Sequence, residues 1–91
     1  MERTTESINN VRVDKAIYIE NELTFTINQN EDGVLNCIVN GNNFSVSNYY
    51  QPNVSTNINF FNTNFDIQIV NDVLNEIDEI VAEYNTSTET E

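Results

Sequence analysis

The chain lacks, or nearly lacks, several side chains that enzymes often use. It contains no histidine, no tryptophan and a single cysteine among its 91 residues. Without histidine the commonest general base is missing, and Cys37 on its own cannot form an internal disulfide. We therefore expect a protein that is not an enzyme and that resides in a reducing compartment.

Long apolar segments are missing as well. The first residues are polar, so we expect no signal peptide, and no run approaches the roughly 18 apolar residues of a membrane span. Asparagine supplies 18 of the 91 residues, and isoleucine is frequent too. AT-rich coding produces this bias, so we expect a protein of the cytoplasm of a low-GC bacterium, encoded there or by its phage.

Positively charged side chains are also scarce. Three bases stand against 15 acids, which gives a net charge of −12. The bases are Arg3, Arg12 and Lys15, and residues 16–91 contain twelve acids and no base. Such a chain is repelled by nucleic acid and by anionic membrane, and it is attracted to a basic protein surface. We therefore expect no direct binding to DNA, RNA or membrane.

The first two thirds of the chain predict antiparallel strands. Residues 1–10 are polar and are expected to be flexible. From Val11, apolar residues alternate with polar ones, as in half-buried strands. The positions predicted to face the core are Val13, Ile17, Ile19, Leu23, Phe25, Ile27, Leu35, Cys37, Val39, Phe44 and Val46.

Turn signals divide these strands. Asp32-Gly33 and Asn40-Gly41 predict two hairpins, whereas Glu20-Asn21 fits either a tight turn or the middle of one long strand. Residues 49–57, which include Pro52, predict a loop. Residues 57–61 can add a short strand.

The C-terminal third predicts one long helix over residues 66–84. Its apolar stripe recurs at steps of three and four and comprises Ile67, Val70, Leu74, Ile77, Val81 and Tyr84, widened by Ile69, Val73 and Ile80. Thr63 and Asp66 are both candidates for the residue that caps its start. Residues 86–91 carry no apolar side chain and are expected to be disordered.

Together these patterns predict a single α+β domain over residues 11–85. A three- or four-stranded antiparallel meander would pack against one long C-terminal helix, because neither the helix stripe nor the strands can bury their apolar side alone.

A row of acids runs beside the apolar stripe of this helix. Asp72, Glu76, Glu79 and Glu83 recur at steps of four, three and four, and the helix contains no base that could pair with them. Like charges at this spacing cost a few tenths of a kcal/mol per pair. We expect the row to lie on an exposed face. It is either a solvated surface that keeps the protein soluble or a surface for binding a partner.

Catalytic and metal sites are not indicated. Cys37 falls on the apolar parity of a strand, which favours a buried structural thiol. The segment 28–33 resembles the start of a calcium loop, but Asn28 stands where that loop needs Asp and Val39 stands where it needs Glu. We expect no metal and no cofactor.

The profile resembles the small acidic inhibitors made by phages and mobile elements, including anti-CRISPR proteins and other DNA mimics. The likeness is one of class and lies in the chain length, the strong net acidity, the predicted sheet with one helix, the row from Asp72 to Glu83 and the Asn/Ile-rich composition. The resemblance implies stoichiometric binding to the basic groove of a nucleic-acid-binding protein, of which a CRISPR effector nuclease is a plausible example.

The predicted partner-binding residues are carboxylates on the helix and at strand ends, with two tyrosines as anchors. They are Asp72, Glu76, Asp78, Glu79, Glu83, Glu20, Glu22, Glu31, Asp32, Tyr49 and Tyr50. Tyrosine is favoured at interface hot spots, although Tyr49 and Tyr50 fit the edge of a core equally well.

Two alternatives remain open at this point. The first is an immunity protein or antitoxin that neutralises a basic nuclease toxin by the same electrostatics. The second is a self-associating assembly protein whose helix stripe pairs with its own copy. The protein is accordingly expected to be a monomer or a homodimer.

Overall fold

A computed structural model describes the backbone of residues 2–8, 11–18 and 21–89, and the side chains of residues 2–6, 11–18 and 21–84. Within these residues the chain forms six strands and one helix. The elements are β1 (Arg3–Ile8), β2 (Val11–Tyr18), β3 (Asn21–Asn30), β4 (Gly33–Asn40), β5 (Phe44–Tyr49), β6 (Ser55–Phe60) and α1 (Ile67–Glu89). No helix in this part of the chain has the stretch of apolar sequence that crossing a bilayer requires.

The strands form one antiparallel sheet in chain order, from β1 at one edge to β6 at the other. The α+β class and the single C-terminal helix are confirmed, but three or four strands is too low a number. β1 lies inside residues 1–10, which were expected to be flexible. Tyr18 pairs with Asn21, so the chain reverses there and β2 and β3 are separate strands. The connection between them, residues 19–20, lies outside the described residues.

The inner face of β2 is polar, which the apolar alternation did not indicate. Asp14 and Ala16 are buried, whereas Ile17 is 66% exposed and Val13 is only half-buried. The prediction that Val13 and Ile17 face the core is therefore wrong, and Ile19 lies outside the described residues. In the sheet register Asp14 lies opposite buried Phe25, and opposite residues share a face. Shifting the predicted alternation by one residue moves every side chain of a strand to the opposite face of the sheet.

The core lies between α1 and the inner face of β2–β5. Its buried side chains are Ala16, Leu23, Phe25, Ile27, Val34, Cys37, Val39, Phe44, Val46, Val73, Ile77 and Ile80. The predicted inward positions of β3 and β5 are confirmed, as are Cys37 and Val39 in β4. Leu35 is only half-buried because the β3–β4 register shifts after Asn28, which turns Val34 inward instead.

The helix stripe is buried along its middle. Val73, Ile77 and Ile80 are covered by the sheet, while Ile67 at its start remains 58% exposed. Because the stripe packs on the sheet, it is not available for a helix–helix seam with a second copy.

Glycines permit both predicted hairpins. Gly33 has a φ of +139°, a backbone conformation that a side chain disfavours. A Cβ at Gly41 would lie 2.6 Å from the Phe44 ring, too close for any other residue. The second hairpin uses a longer loop than two residues, because Gly41 donates its N–H to the Phe44 carbonyl and β5 begins only there.

Asp66 is the residue that caps the helix. Its Oδ1 accepts hydrogen bonds from the backbone N–H groups of Gln68 at 3.0 Å and Ile69 at 3.4 Å. These N–H groups have no partner within the helix, which is why a side chain at this position stabilises it. At the other end α1 continues to Glu89, beyond the predicted end at Tyr84 and into residues 86–91, which were expected to be disordered.

Asp66→Ala is expected to lower the free energy of unfolding by about 0.5–2 kcal/mol, because two N–H groups lose their acceptor. Urea denaturation followed by circular dichroism measures this loss. Asp66→Asn keeps an acceptor oxygen and should lose less. Thr63→Ala, at the other candidate start, should have almost no effect, and an equal loss in this control would contradict the assignment of the cap.

Candidate functional site

The acidic row of α1 is divided between two environments. Glu76 is only 6% exposed and Asp72 is half-buried, while Glu79 and Glu83 reach solvent. The prediction that the whole row lies on an exposed face is therefore wrong at Glu76. Glu76 is buried because the sheet face beneath this position presents arginine rather than apolar side chains.

Arg3 extends from β1 to carboxylates on two other elements. Its Nη1 donates to Asp14 Oδ2 at 2.6 Å and its Nη2 to Glu83 Oε2 at 2.6 Å. Its Nε donates to Glu76. The Arg3 side chain is 9% exposed. One guanidinium thus joins the edge strand, its neighbour and the helix.

Arg12 completes this group from β2. Its Nε and Nη2 donate to the two oxygens of Asp14 at 2.9 and 2.8 Å, a bidentate pair, and Nη2 also donates to Glu83 Oε1 at 2.8 Å. Asp14 has no solvent exposure. A buried carboxylate stays ionised only when it is paired and hydrogen-bonded. We call Arg3, Arg12, Asp14, Glu76 and Glu83 the arginine–carboxylate cluster.

The pKa values within the cluster favour its ionised form. Burial opposes ionisation of Asp14, but hydrogen bonds from Arg12, Thr5 and Arg3 outweigh it and lower the pKa of Asp14. Burial also opposes ionisation of Glu83, and the two arginines together lower its pKa. Burial alone would lower the pKa of Arg3, yet Glu83, Glu76 and Asp14 raise it overall. These shifts keep Asp14, Glu83 and Arg3 ionised at neutral pH.

Sequence reasoning missed the cluster because its partners are far apart in the chain. Arg3 is separated from Glu76 by 73 positions and from Glu83 by 80. One signal was present: Arg12 and Asp14 stand two residues apart, which places both on the same face of a strand.

Asp72, at the N-terminal end of the acidic row, has hydrogen-bond partners of its own. It accepts hydrogen bonds from the Tyr18 hydroxyl and from Gln68 Nε2, the latter at 3.1 Å. The hydrogen bond to Asp72, with a smaller effect of desolvation, raises the pKa of Tyr18 to about 12. Asp72 therefore holds the N-terminal half of the helix against the end of β2.

Exposed carboxylates lie on the C-terminal half of α1 and in the β3–β4 turn. The Tyr84 hydroxyl donates to the Asn30 carbonyl at 2.6 Å, which joins the helix to the strand that enters this turn. We call these exposed acids the acidic surface; they are Asp78, Glu79, Glu31 and Asp32, with Glu83, whose charge is already paired with both arginines, at its border. Glu22 lies at the opposite end of β3, with Lys15 Nζ at 4.0 Å, and Glu20 lies outside the described residues.

Both predicted tyrosine anchors are half-buried; Tyr50 packs at the edge of the core, whereas Tyr49 lies on the opposite face of β5 from buried Phe44 and Val46. The Tyr50 N–H donates to the Leu35 carbonyl at 2.9 Å, and its hydroxyl accepts from Asn48 Nδ2 at 3.4 Å. Burial raises the pKa of Tyr50. Their contact with a partner stays a prediction.

Cys37 is fully buried, as predicted, and burial raises the pKa of its thiol to about 12. The thiolate form is therefore scarce at neutral pH, and the sulfur is a poor nucleophile. Among the described residues, no three or more of His, Cys, Asp or Glu converge in a way that could hold a metal ion.

Arg3→Met is expected to lower the free energy of unfolding by about 3–5 kcal/mol, because it leaves buried Glu76 without a guanidinium and buried Asp14 with only that of Arg12. Urea denaturation measures the loss. Lys15→Met removes the same charge from an exposed side chain and serves as the matched control, with an expected change within about 0.5 kcal/mol. Equal losses in the two variants would show that net charge, and not the cluster, governs stability.

The stability of the protein is expected to fall in acid. The folded pKa values of Asp14 and Glu83 lie below their unfolded values of about 4. Their contribution is therefore complete above those values and is lost as the pH falls through the lower folded pKa values. Urea denaturation at pH values from 7 down to 2.5 should show this decline beginning below about pH 4.5. Asp14→Asn should flatten it, whereas Glu2→Gln, at an exposed site, should leave it unchanged.

Comparison of the chain with protein-family models, with curated proteins and with solved structures finds no match. The function proposed next rests on the charges and contacts described above.

Proposed function

We propose that the protein is a non-enzymatic inhibitor whose acidic surface binds the basic, nucleic-acid-binding surface of another protein. The observation that carries this proposal is that both arginines point inward, into the arginine–carboxylate cluster. The cluster takes two of the three bases and three of the 15 acids, so the rest of the chain has twelve acids and one lysine.

An anionic exterior of this kind promotes association with a cationic partner and does not promote folding. Solubility alone requires a net charge of only about 2 to 8 for a small domain, and the protein carries −12. Excess like charge weakens the compact state, but it accelerates encounter with an oppositely charged site by roughly 10- to 1,000-fold. The charge therefore has its clearest benefit in association with a cationic partner.

The acidic surface is also partly rigid, which lowers the entropic cost of binding. Glu83 is held by Arg3 and Arg12 while remaining half-exposed, so its carboxylate is positioned before a partner arrives. Asp78 and Glu79 lie on the same helix, roughly 7.5–9 Å along its axis from Tyr84. Glu76 has no part in this contact, because it is buried under the arginines.

The class of partner follows from the chemistry. A groove that holds nucleic acid presents lysine and arginine to phosphates, and the exposed carboxylates of the acidic surface would pair with the same cations. The resemblance to anti-CRISPR proteins and DNA mimics makes a CRISPR effector nuclease the first candidate, with inhibition by occupancy and without chemistry. A basic nuclease toxin would be recognised by the same electrostatics.

Capture followed by competition tests the proposal. The tagged protein is incubated with a nuclease-treated bacterial lysate at low and high salt, and a retained protein is purified and its nucleic-acid binding titrated with the chain. We expect one equivalent of the chain to displace nucleic acid, and high salt to weaken the complex, because the contact is between exposed charges.

A charge-matched pair of variants locates the contact. Asp78→Asn with Glu79→Gln should weaken displacement at least about tenfold, which corresponds to 1.4 kcal/mol. Glu2→Gln with Glu6→Gln removes the same charge at the β1 edge and should have a much smaller effect. If the two double variants behave alike, or if captured proteins keep their nucleic acid, the proposed contact is wrong.

A further inference from the structure

The two edges of the sheet are built differently. β1 carries Arg3 and Glu6, and its register with β2 shifts between Thr5 and Ser7. Charges and bulges are the devices that prevent an edge strand from pairing with another chain. β6 has neither: its sequence is Ser-Thr-Asn-Ile-Asn-Phe, and all six residues pair with β5 without a shift.

Among the described residues, no strand pairs with the outer side of β6. The Phe61 N–H donates to the Asn43 carbonyl at 2.7 Å, so the backbone groups of this position point toward β5. The direction alternates along a strand, and Asn57 and Asn59 therefore also point toward β5. The N–H and C=O groups of Thr56, Ile58 and Phe60 point away from the sheet.

Apolar side chains accompany this open edge. Ile58 is 38% exposed and Phe65 61%. The Phe60 ring connects Phe65 to the core, with its centroid 5.6 Å from that of Phe44 and 5.2 Å from that of Phe65. Another strand placed beside β6 would extend the sheet and cover part of this apolar surface.

Charge identifies the occupant. No side chain in residues 33–65 is charged, and these residues include β4, β5 and β6. Elsewhere two copies of a chain with a net charge of −12 would present like charges to each other. At β6 they would not, and an antiparallel edge is its own complement under two-fold symmetry. We propose that β6 pairs antiparallel with β6 of a second copy, so that two sheets join into one.

The free groups determine the register of this pairing. Only Thr56, Ile58 and Phe60 present them, so a symmetric antiparallel pairing places Ile58 opposite Ile58 of the second copy. Thr56 then lies opposite Phe60 of that copy. Each of the three facing pairs exchanges two hydrogen bonds, as hydrogen-bonded pairs of antiparallel strands do, and the two Ile58 side chains meet on the helix side of the joined sheet.

The pairing goes beyond the proposed function and responds to salt in the opposite direction. Two anionic molecules repel each other until they touch, so added salt should strengthen the dimer. Salt should instead weaken the complex with a basic partner. Either proposal can therefore fail while the other holds.

Sedimentation equilibrium of the full chain, from low to high micromolar concentration and at two salt concentrations, tests the pairing. We expect a monomer–dimer equilibrium that shifts toward dimer with salt. Ile58→Pro removes an N–H that points away from β5 and leaves the β5–β6 hydrogen bonds in place. It should raise the dissociation constant at least 100-fold. Ile58→Thr keeps that N–H and should still dimerise.

A second pair of variants guards against misfolding. Ile58→Lys places a charge at the two-fold axis and should give a monomer. Ile17→Lys makes the same change on β2, at a side chain that is 66% exposed, and should dimerise as the original chain does. Circular dichroism melts confirm that each variant is folded. A wild-type chain that stays monomeric at high salt, or a folded Ile58→Lys that dimerises normally, overturns the proposal.

Discussion

The buried ion pairing between Arg3, Arg12 and Asp14 determines how the helix and the sheet meet. Asp14 has no contact with water, and desolvating an unpaired carboxylate costs several kcal/mol. Its charge is tolerable only because two guanidiniums surround it, and those guanidiniums in turn need Glu76 and Glu83. The ion pairs therefore hold β1, β2 and α1 together, because each charged side chain needs partners on the other elements.

This cluster also sets the rotation of α1 about its axis. Glu76 must point at Arg3, and the buried stripe of Val73, Ile77 and Ile80 then settles on the sheet beside it. With that rotation fixed, Asp78 and Glu79 face solvent. Buried ion pairs add less to net stability than to the choice of one arrangement among several. Here the arrangement withdraws both arginines from the surface together with three acids, so twelve acids and one lysine remain outside the cluster.

Local rules predicted the helix, the hairpins and the inward residues of β3 and β5, because each depends on a repeating apolar pattern or on a turn residue. The same rules assigned the wrong face to β2. Counting apolar alternation assumes that the buried face is the apolar one, and Asp14 reverses this assumption by burying a charge opposite Phe25. β1 was missed for a related reason: its inward-facing residue Arg3 is charged, so residues 1–10 were predicted to be a flexible polar segment.

The acidic row was visible in the sequence, but its division was not. Step size along a helix shows which residues share a side, whereas the contacts that bury Glu76 come from a strand 73 positions away. Nothing local distinguishes Glu76 from Glu79. The surplus of acids could be predicted from the sequence. Which of them stay exposed could not, because that depends on the sheet register.

A surface of strong charge and an edge that favours pairing are in conflict in a domain this small, and the fold separates them by distance. Strands lie about 4.8 Å apart, so β3 is about 14 Å from β6, nearly two Debye lengths at physiological salt. Pairing through β6 would place the two copies of β3 about 34 Å apart, since seven spacings lie between them. At that separation salt screens the mutual repulsion of the two acidic surfaces, and each copy could still present Asp78 and Glu79 to a partner of its own.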